Sequence, residues 1–168
     1  MKIIKHSFLS KIIVTWGKTK ANLVCFCILL KTLQGYASEP ENKMLEVNFY
    51  QAAQLVANQQ AQIIDVRQLT EWQASGVIKG AYLIEMSNLL TVLKERPSIL
   101  PDKLKDKNRH WVIICRSGKR SAVVAKVLVA MGYKHVYNVS GGILNWVASG
   151  GGLVSYTHKS VSMFEPSI

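Results

Sequence analysis

One short stretch of the sequence combines a cysteine, a glycine and several cations. Residues 115–121 read Cys115-Arg116-Ser117-Gly118-Lys119-Arg120-Ser121. The stretch lies between a predicted strand and a predicted helix, at the edge of an α/β sheet where the carboxyl ends of strands form ligand crevices. Gly118 can adopt backbone angles that direct several N–H groups at the cysteine, and the helix dipole adds positive potential. Because no carboxylate adjoins the three cations, Cys115 is predicted to be a thiolate at neutral pH.

A thiolate in this setting has two chemical uses. It can attack an anionic electrophile that the cations attract, or it can hold a transferred group as a charged intermediate. The alternative is a structural cysteine packed in the core, with the basic residues solvating a turn. That alternative is weaker, because a core cysteine needs neither a glycine nor three cations directly after it.

The elements that position this stretch are short β-branched strands alternating with helices. Strands are predicted at residues 63–66, 81–84, 111–114 and 136–139. Five helices are predicted: residues 50–58, a turn around Glu71 and Trp72, Ser87 to Pro97, residues 121–131, and Gly141-Gly142 through Trp146. Asn48 is predicted to cap the first of them, and Gly132 is predicted to end the fourth. Residues 101–110 are predicted to be a charged surface segment. The alternation predicts an α/β fold with a parallel sheet of about five strands and helices on both faces.

Three blocks, in a fixed order, resemble a known family. They are Ile64-Asp65-Val66-Arg67 with Glu71-Trp72 and Gly76 to Ile84, then Val112-Ile113-Ile114-Cys115 with Arg120-Ser121, then Val139-Ser140-Gly141-Gly142-Ile143 with Trp146. Over residues 47–150 the chain resembles the rhodanese-like sulfurtransferases. The resemblance implies a thiosulfate sulfurtransferase in which Cys115 takes sulfane sulfur from thiosulfate, or a similar donor, as a persulfide. Cyanide or a thiol then removes that sulfur, and neither a cofactor nor a metal is required.

The resemblance also implies roles for the surrounding residues. The N–H groups of residues 116–121, which include Ser117, Gly118 and Ser121, would stabilise the persulfide. Lys119 and Arg120, with Arg116 next, would hold the anionic donor. Asp65 and Arg67 are interpreted as a partly buried ion pair that fixes neighbouring loops, in preference to an acid/base pair. The chain departs from the family pattern at Val77, where many members have histidine, but this position is predicted to lie outside the loop.

Two other functions remain open. A phosphatase or arsenate-reductase-like enzyme of the same fold would use Cys115 on an oxyanion, but such phosphatases need one more residue than the four between Cys115 and Arg120. A non-catalytic module that carries sulfur or binds a partner would use the same loop without turnover. A protein sulfur donor or acceptor is compatible with either sulfur-handling function.

Several other residue types are interpreted as structural. His110, His135 and His158 lack metal-ligand spacing and are predicted at the surface. Trp72, Trp111 and Trp146 are predicted to anchor the core or turns, because no basic residues interleave with them as nucleic-acid binding requires. The triplet Asn138-Val139-Ser140 fits a glycosylation acceptor but falls in a predicted strand.

The charge of the chain is concentrated at one end. The 168 residues allow one compact domain, and the formal charge of +11 would normally suggest a nucleic-acid or membrane partner. Six of the 21 basic residues lie in residues 1–37, which contain no acidic residue, so the remainder carries only +5. A nucleic-acid partner is therefore not expected.

Residues 1–37 have the three-part pattern of a secretory signal peptide. A basic segment precedes the uncharged residues 21–30, and Gly35-Tyr36-Ala37-Ser38 supplies a cleavage site after Ala37. The apolar run is half the length of a membrane-spanning helix, which needs about 20 apolar residues. The alternatives are an uncleaved amphipathic anchor and a misannotated start codon. We therefore expect an exported protein, in a bacterial periplasm, with a linker at 38–46, the domain at 47–150 and a tail at 151–168.

Overall fold

The computed structural model describes residues 43–58 and 60–157. The strands are β1 (Leu45–Val47), β2 (Ala61–Asp65), β3 (Tyr82–Leu83), β4 (His110–Ile114) and β5 (His135–Val139). The helices are α1 (Phe49–Ala57), α2 (Leu69–Ser75), α3 (Met86–Glu95), α4 (Asp102–Lys105), α5 (Lys119–Ala130) and α6 (Gly142–Ala148), with a 3-10 turn at Pro97–Ile99. The predicted signal segment, His158 and the remainder of the tail lie outside the described residues. Within them, no helix combines the length and the apolar character needed to cross a membrane.

The strands form one parallel sheet in the order β1-β5-β4-β2-β3. The central strand β4 separates two apolar clusters. Trp111 and Ile113 belong to one, with side chains of α3 and α5, while Val112 and Ile114 belong to the other, with side chains of α1 and α6. Successive strand residues point to opposite faces, so a strand buried on both sides is apolar throughout. The predicted α/β fold, with a five-stranded parallel sheet and helices on both faces, is confirmed.

One strand was not predicted. Leu45–Val47 pairs in parallel with β5, with Val47 opposite Val139, whereas the sequence predicts a linker at residues 45 and 46. Only the last of the three residues is buried, and Leu45 is half exposed. A strand of three residues is too short to show an alternation of apolar and polar side chains. Backbone pairing with the edge of β5 holds this strand in place.

Other boundaries differ from the prediction by a few residues. Helix α1 begins after Asn48, whose Oδ1 accepts from the Gln51 N–H at 3.0 Å, as expected of a cap. Helix α5 begins at Lys119, two residues earlier than predicted, because Gly118 caps it in the left-handed region at a φ of 88°. The charged segment 101–110 contains α4, whose Leu104 is buried in the core.

The tryptophans and histidines are placed in different ways. Trp72, Trp111 and Trp146 are all buried, as predicted for core anchors. His110 and His135 are half-buried neighbours on β4 and β5, and their rings stack at 4.1 Å. Val77, the departure from the family pattern, is buried and pairs with Val154 at the start of the tail.

Candidate active site

Cys115 follows directly on β4, and its thiol points into the loop that leads to α5. The sulfur accepts hydrogen bonds from the Gly118 N–H at 3.2 Å and from the Ser121 hydroxyl at 3.3 Å. Cys115 has no exposed surface. Both donors lie at the N-terminus of α5, so the sulfur also faces the positive end of the helix dipole.

These contacts set the charge state of the thiol. Burial raises the pKa of Cys115, but hydrogen bonds from the Ser121 side chain and from the backbone N–H groups of Ser121, Ser117 and Gly118 oppose it. Together the hydrogen bonds outweigh burial, and the pKa lies below its ordinary value. The arrangement favours a thiolate, which is the nucleophilic form of cysteine.

Helix α6 holds the other side of the loop. The N–H groups of Ile143 and Leu144 donate to the carbonyl oxygens of Cys115 and Arg116 at 2.8 and 3.2 Å. Gly142 makes this approach possible. It has a φ of 58°, and a Cβ at this position would overlap the Cys115 carbonyl oxygen and lie within 2.7 Å of the Arg116 carbonyl group. Gly142 of the third sequence block therefore allows α6 to bind the cysteine loop.

Replacing Gly142 with alanine is expected to displace this loop. The displaced loop loses a donor to Sγ, which raises the pKa of Cys115 and lowers its rate of alkylation by iodoacetamide at pH 7 about tenfold. Gly150→Ala is the matched control, because Gly150 also has a positive φ but a Cβ there meets nothing within 4 Å. Both variants incur the left-handed strain of about 1–2 kcal/mol. Equal alkylation rates in the two variants would contradict the role of Gly142.

The cations beside the cysteine are not equivalent. Arg120 forms a bidentate ion pair with Glu71 of α2, with both N–O distances at 2.7 Å. The hydrogen bonds of this pair lower the pKa of Glu71 and raise the pKa of Arg120. Burial opposes both shifts but is the smaller effect. The expectation that no carboxylate neighbours the cations is therefore wrong for Arg120. Glu71 lies 49 residues earlier in the chain, so only the fold brings the two together.

A cavity of about 620 Å³ lies over the loop. Its walls combine apolar, polar and cationic side chains: Arg67, Gln68, Glu71, Ala74, Ser75, Arg116, Arg120, Ile143 and Leu144. Arg116 is exposed and forms no ion pair with any described residue. Lys119 is also exposed but does not line the cavity. Of the three predicted donor-binding cations, the fold places Arg116 and Arg120 at the cavity.

Asp65 and Arg67 form a fully buried ion pair at the end of β2. The Arg67 guanidinium donates to both Asp65 carboxylate oxygens at 2.7 to 3.0 Å, and its remaining N–H groups donate to Ser75 Oγ at 2.7 Å and to the Gly76 carbonyl at 2.8 Å. Because these groups satisfy one another, they are suited to fixing the end of α2 against β2. The predicted ion pair is present and is buried more deeply than predicted, and its structural role stays a prediction.

The comparisons with known proteins agree with this geometry. Residues 49–149 match the Rhodanese-like domain family. The human thiosulfate:glutathione sulfurtransferase is 31% identical over 98 residues, which cover 55% of this chain and 84% of that protein. A sulfurtransferase of Allochromatium vinosum is 34% identical over 88 residues, covering 52% and 73%. The crystal structure of a rhodanese-like domain protein from Staphylococcus aureus superposes with a TM-score of 0.52 at 31% identity, covering 68% of this chain and all of that one. The chain therefore belongs to the rhodanese-like domain family.

Proposed function

We propose that this protein is a sulfurtransferase that moves sulfane sulfur from thiosulfate, or a similar anionic donor, to cyanide or a thiol. The observation that carries the proposal is the convergence of the Gly118 N–H and the Ser121 hydroxyl on Cys115 Sγ. Donors fixed before the reaction stabilise negative charge on sulfur without reorganising. The names of the two sulfurtransferase relatives support the reaction class and leave this chain's donor and acceptor as proposals.

The proposed reaction has two displacement steps. In the first, the Cys115 thiolate attacks the outer sulfur of thiosulfate, a new S–S bond forms, the S–S bond of the donor breaks, and sulfite leaves with the electron pair. In the second, the nucleophile of the acceptor attacks the outer sulfur of the persulfide, and the Cys115 thiolate leaves. Neither displacement at sulfur needs a metal. Because Cys115 has no exposed surface, the atoms that cover the sulfur must move to admit the donor.

Arg116 and Arg120 are the cations that we propose attract the donor to the cavity. Glu71 neutralises part of the charge on Arg120, because the carboxylate is bound to both terminal nitrogens of the guanidinium. The affinity for an anionic donor therefore depends on the balance among these three side chains. Lys119, which does not line the cavity, contributes only to the longer-range field.

Glu71→Gln is expected to lower the KM for thiosulfate about threefold at low ionic strength. Removing one negative charge about 6 Å from the donor is worth about 0.7 kcal/mol in a water-like dielectric, and about 1 M salt screens the difference. Steady-state kinetics at two salt concentrations measure the effect. Glu95→Gln is the control, since Glu95 is exposed and does not line the cavity. A higher KM in Glu71→Gln would mean that Glu71 chiefly positions Arg120, against this prediction.

Steady-state turnover tests the proposed function against a carrier role. The protein is mixed with thiosulfate and either cyanide or glutathione, and thiocyanate or glutathione persulfide is measured over time. Many turnovers per chain support an enzyme, and the faster acceptor identifies the acceptor class. Transfer of a single sulfur per chain without turnover would support the carrier alternative. Hydrolysis of an aryl phosphate in the absence of sulfur transfer would support the phosphatase alternative.

We also propose that the protein is exported to a bacterial periplasm. The support is the sequence of residues 1–37, with six lysines, no acidic residue and an uncharged run at 21–30. These residues lie outside the part of the chain that the structure describes. After cleavage at Ala37, Cys115 would be the only cysteine of the protein.

A further inference from the structure

We propose that Asn138 is a positioning residue for Cys115. By donating to the Gly118 carbonyl oxygen, Asn138 leaves the proton of the Ser121 hydroxyl to the cysteine sulfur. The thiolate part of this proposal stands on the hydrogen bonds alone. Its extension to the persulfide rests on the proposed function.

The Ser121 hydroxyl faces two acceptors with a single proton. Its oxygen lies 3.3 Å from Cys115 Sγ and 3.1 Å from the Gly118 carbonyl oxygen. A hydroxyl donates one hydrogen bond, so the two acceptors compete. If the carbonyl takes the proton, the sulfur loses a donor that favours its anionic form.

The competing carbonyl is already occupied. The Gly118 oxygen accepts from the Ala122 N–H at 3.1 Å, within α5, and from Asn138 Nδ2 at 3.2 Å. A carbonyl oxygen has two lone pairs, so these two donors saturate it. With both lone pairs taken, the Ser121 proton is directed to the sulfur.

Asn138 is held in the orientation that this role requires. It is only 3% exposed, and its Nδ2 donates to both Glu46 carboxylate oxygens at 2.8 and 3.1 Å. Since all three neighbours of Nδ2 are acceptors, the reverse orientation of the amide would place oxygen against oxygen. Glu46 lies on the edge strand β1 and also accepts from the Ser140 hydroxyl at 2.7 Å. Asn138 is therefore a buried tether between β1 and the cysteine loop, which makes it a poor glycosylation acceptor in the folded chain.

The charged groups around the sulfur lie on several elements. Arg120 on α5 interacts with Cys115 and is paired with Glu71 of α2. Arg116 lies in the loop, and Arg67 at the end of β2 lines the same cavity. Glu46 approaches through Asn138. Asn138→Ala keeps Arg120, Glu71, Arg116 and Arg67. A change in the pKa of Cys115 in this variant therefore reports on the hydrogen bonds.

A double-mutant cycle tests the proposal without any assay of sulfur transfer. The pH dependence of Cys115 alkylation by iodoacetamide gives the thiol pKa in the wild type, Asn138→Ala, Ser121→Ala and the double variant of the full chain. Asn138→Ala is expected to raise that pKa by about 0.5–1, the worth of one hydrogen bond. Ser121→Ala is expected to raise it similarly, and the double variant is expected to match Ser121→Ala alone. An unchanged pKa in Asn138→Ala, or an equal increase with and without Ser121, would overturn the proposal.

Two further variants keep the test decisive if Asn138→Ala folds poorly. Glu46→Ala, at an exposed position, frees the Asn138 amide and is expected to raise the pKa in the presence of Ser121 but not in its absence. Ser140→Ala removes only the other donor to Glu46 and should leave the pKa unchanged. A chain that alkylates as expected but transfers no sulfur would refute the proposed function and leave the role of Asn138 standing. The converse result would overturn only the role of Asn138.

Discussion

Replacing Cys115 with serine is expected to reduce sulfur transfer to the rate observed without protein. A serine hydroxyl stays protonated in the pH range where a cysteine thiolate forms, so it provides no anionic nucleophile for the donor sulfur. The donors around the side chain include the Gly118 N–H and the Ser121 hydroxyl, both of which can still donate to an oxygen. Thiocyanate production from thiosulfate and cyanide measures the loss.

The fold of Cys115→Ser is expected to survive, because the substitution is small and its polar atom keeps a donor. Its free energy of unfolding should lie within about 1 kcal/mol of the wild-type value, a typical cost for a single substitution. Thermal or urea unfolding provides that control. Sulfur transfer retained in a folded Cys115→Ser protein would place the chemistry on another residue.

Replacing Asp65 with alanine is expected to destabilise the domain by about 3–5 kcal/mol, the usual cost of removing one partner from a buried ion pair. The guanidinium of Arg67, only 1% exposed, would keep its hydrogen bonds to Ser75 and Gly76 but lose its counter-charge. A buried charge without a partner is much less stable than one in water. Urea unfolding of the variant and the wild type measures the difference.

Asp102→Ala is the matched control for this substitution. Asp102 also pairs with a basic residue, Lys105 at 3.1 Å, but its side chain is 99% exposed. Solvent screens such a pair, so the change in stability should stay below about 1 kcal/mol. Similar losses in the two variants would contradict the importance of burial at Asp65.

The sequence predicted the parts of the molecule that depend on local pattern. Trp111 to Ile114 form an uninterrupted apolar run, which is typical of a strand buried on both faces, and β4 lies at the centre of the sheet. Gly118, four residues after the end of this strand, indicated a tight loop into a helix, and in the structure that helix begins at Lys119, two residues before the predicted start. The position of Cys115 therefore follows from a few adjacent residues.

The parts that escaped prediction depend on residues distant in the chain. Glu71 and Arg120 are 49 residues apart, and Glu46 and Asn138 are 92 apart. Neither pair has a spacing that signals contact, because the order of the strands in the sheet decides which loops meet. Strand β1 was missed for a related reason, since its edge pairing with β5 holds it and only one of its side chains is buried.

The fold distinguishes the three basic residues beside Cys115 by their surroundings. The sequence ranks Lys119 and Arg120 ahead of Arg116 as cations for an anionic donor. In the fold, Glu71 neutralises part of the charge on Arg120, Arg116 has no carboxylate partner among the described residues, and Lys119 does not line the cavity. The hydrogen bonds from Gly118 and Ser121 act directly on the Cys115 sulfur, and we propose that Arg116 and Arg120 attract the donor.

The most direct test of the account is the intact mass of the protein after incubation with thiosulfate. We predict a gain of one sulfur atom per chain, reversed by adding cyanide and absent in Cys115→Ser. A wild-type mass that does not change with thiosulfate, or a gain that persists in Cys115→Ser, would contradict a persulfide on Cys115.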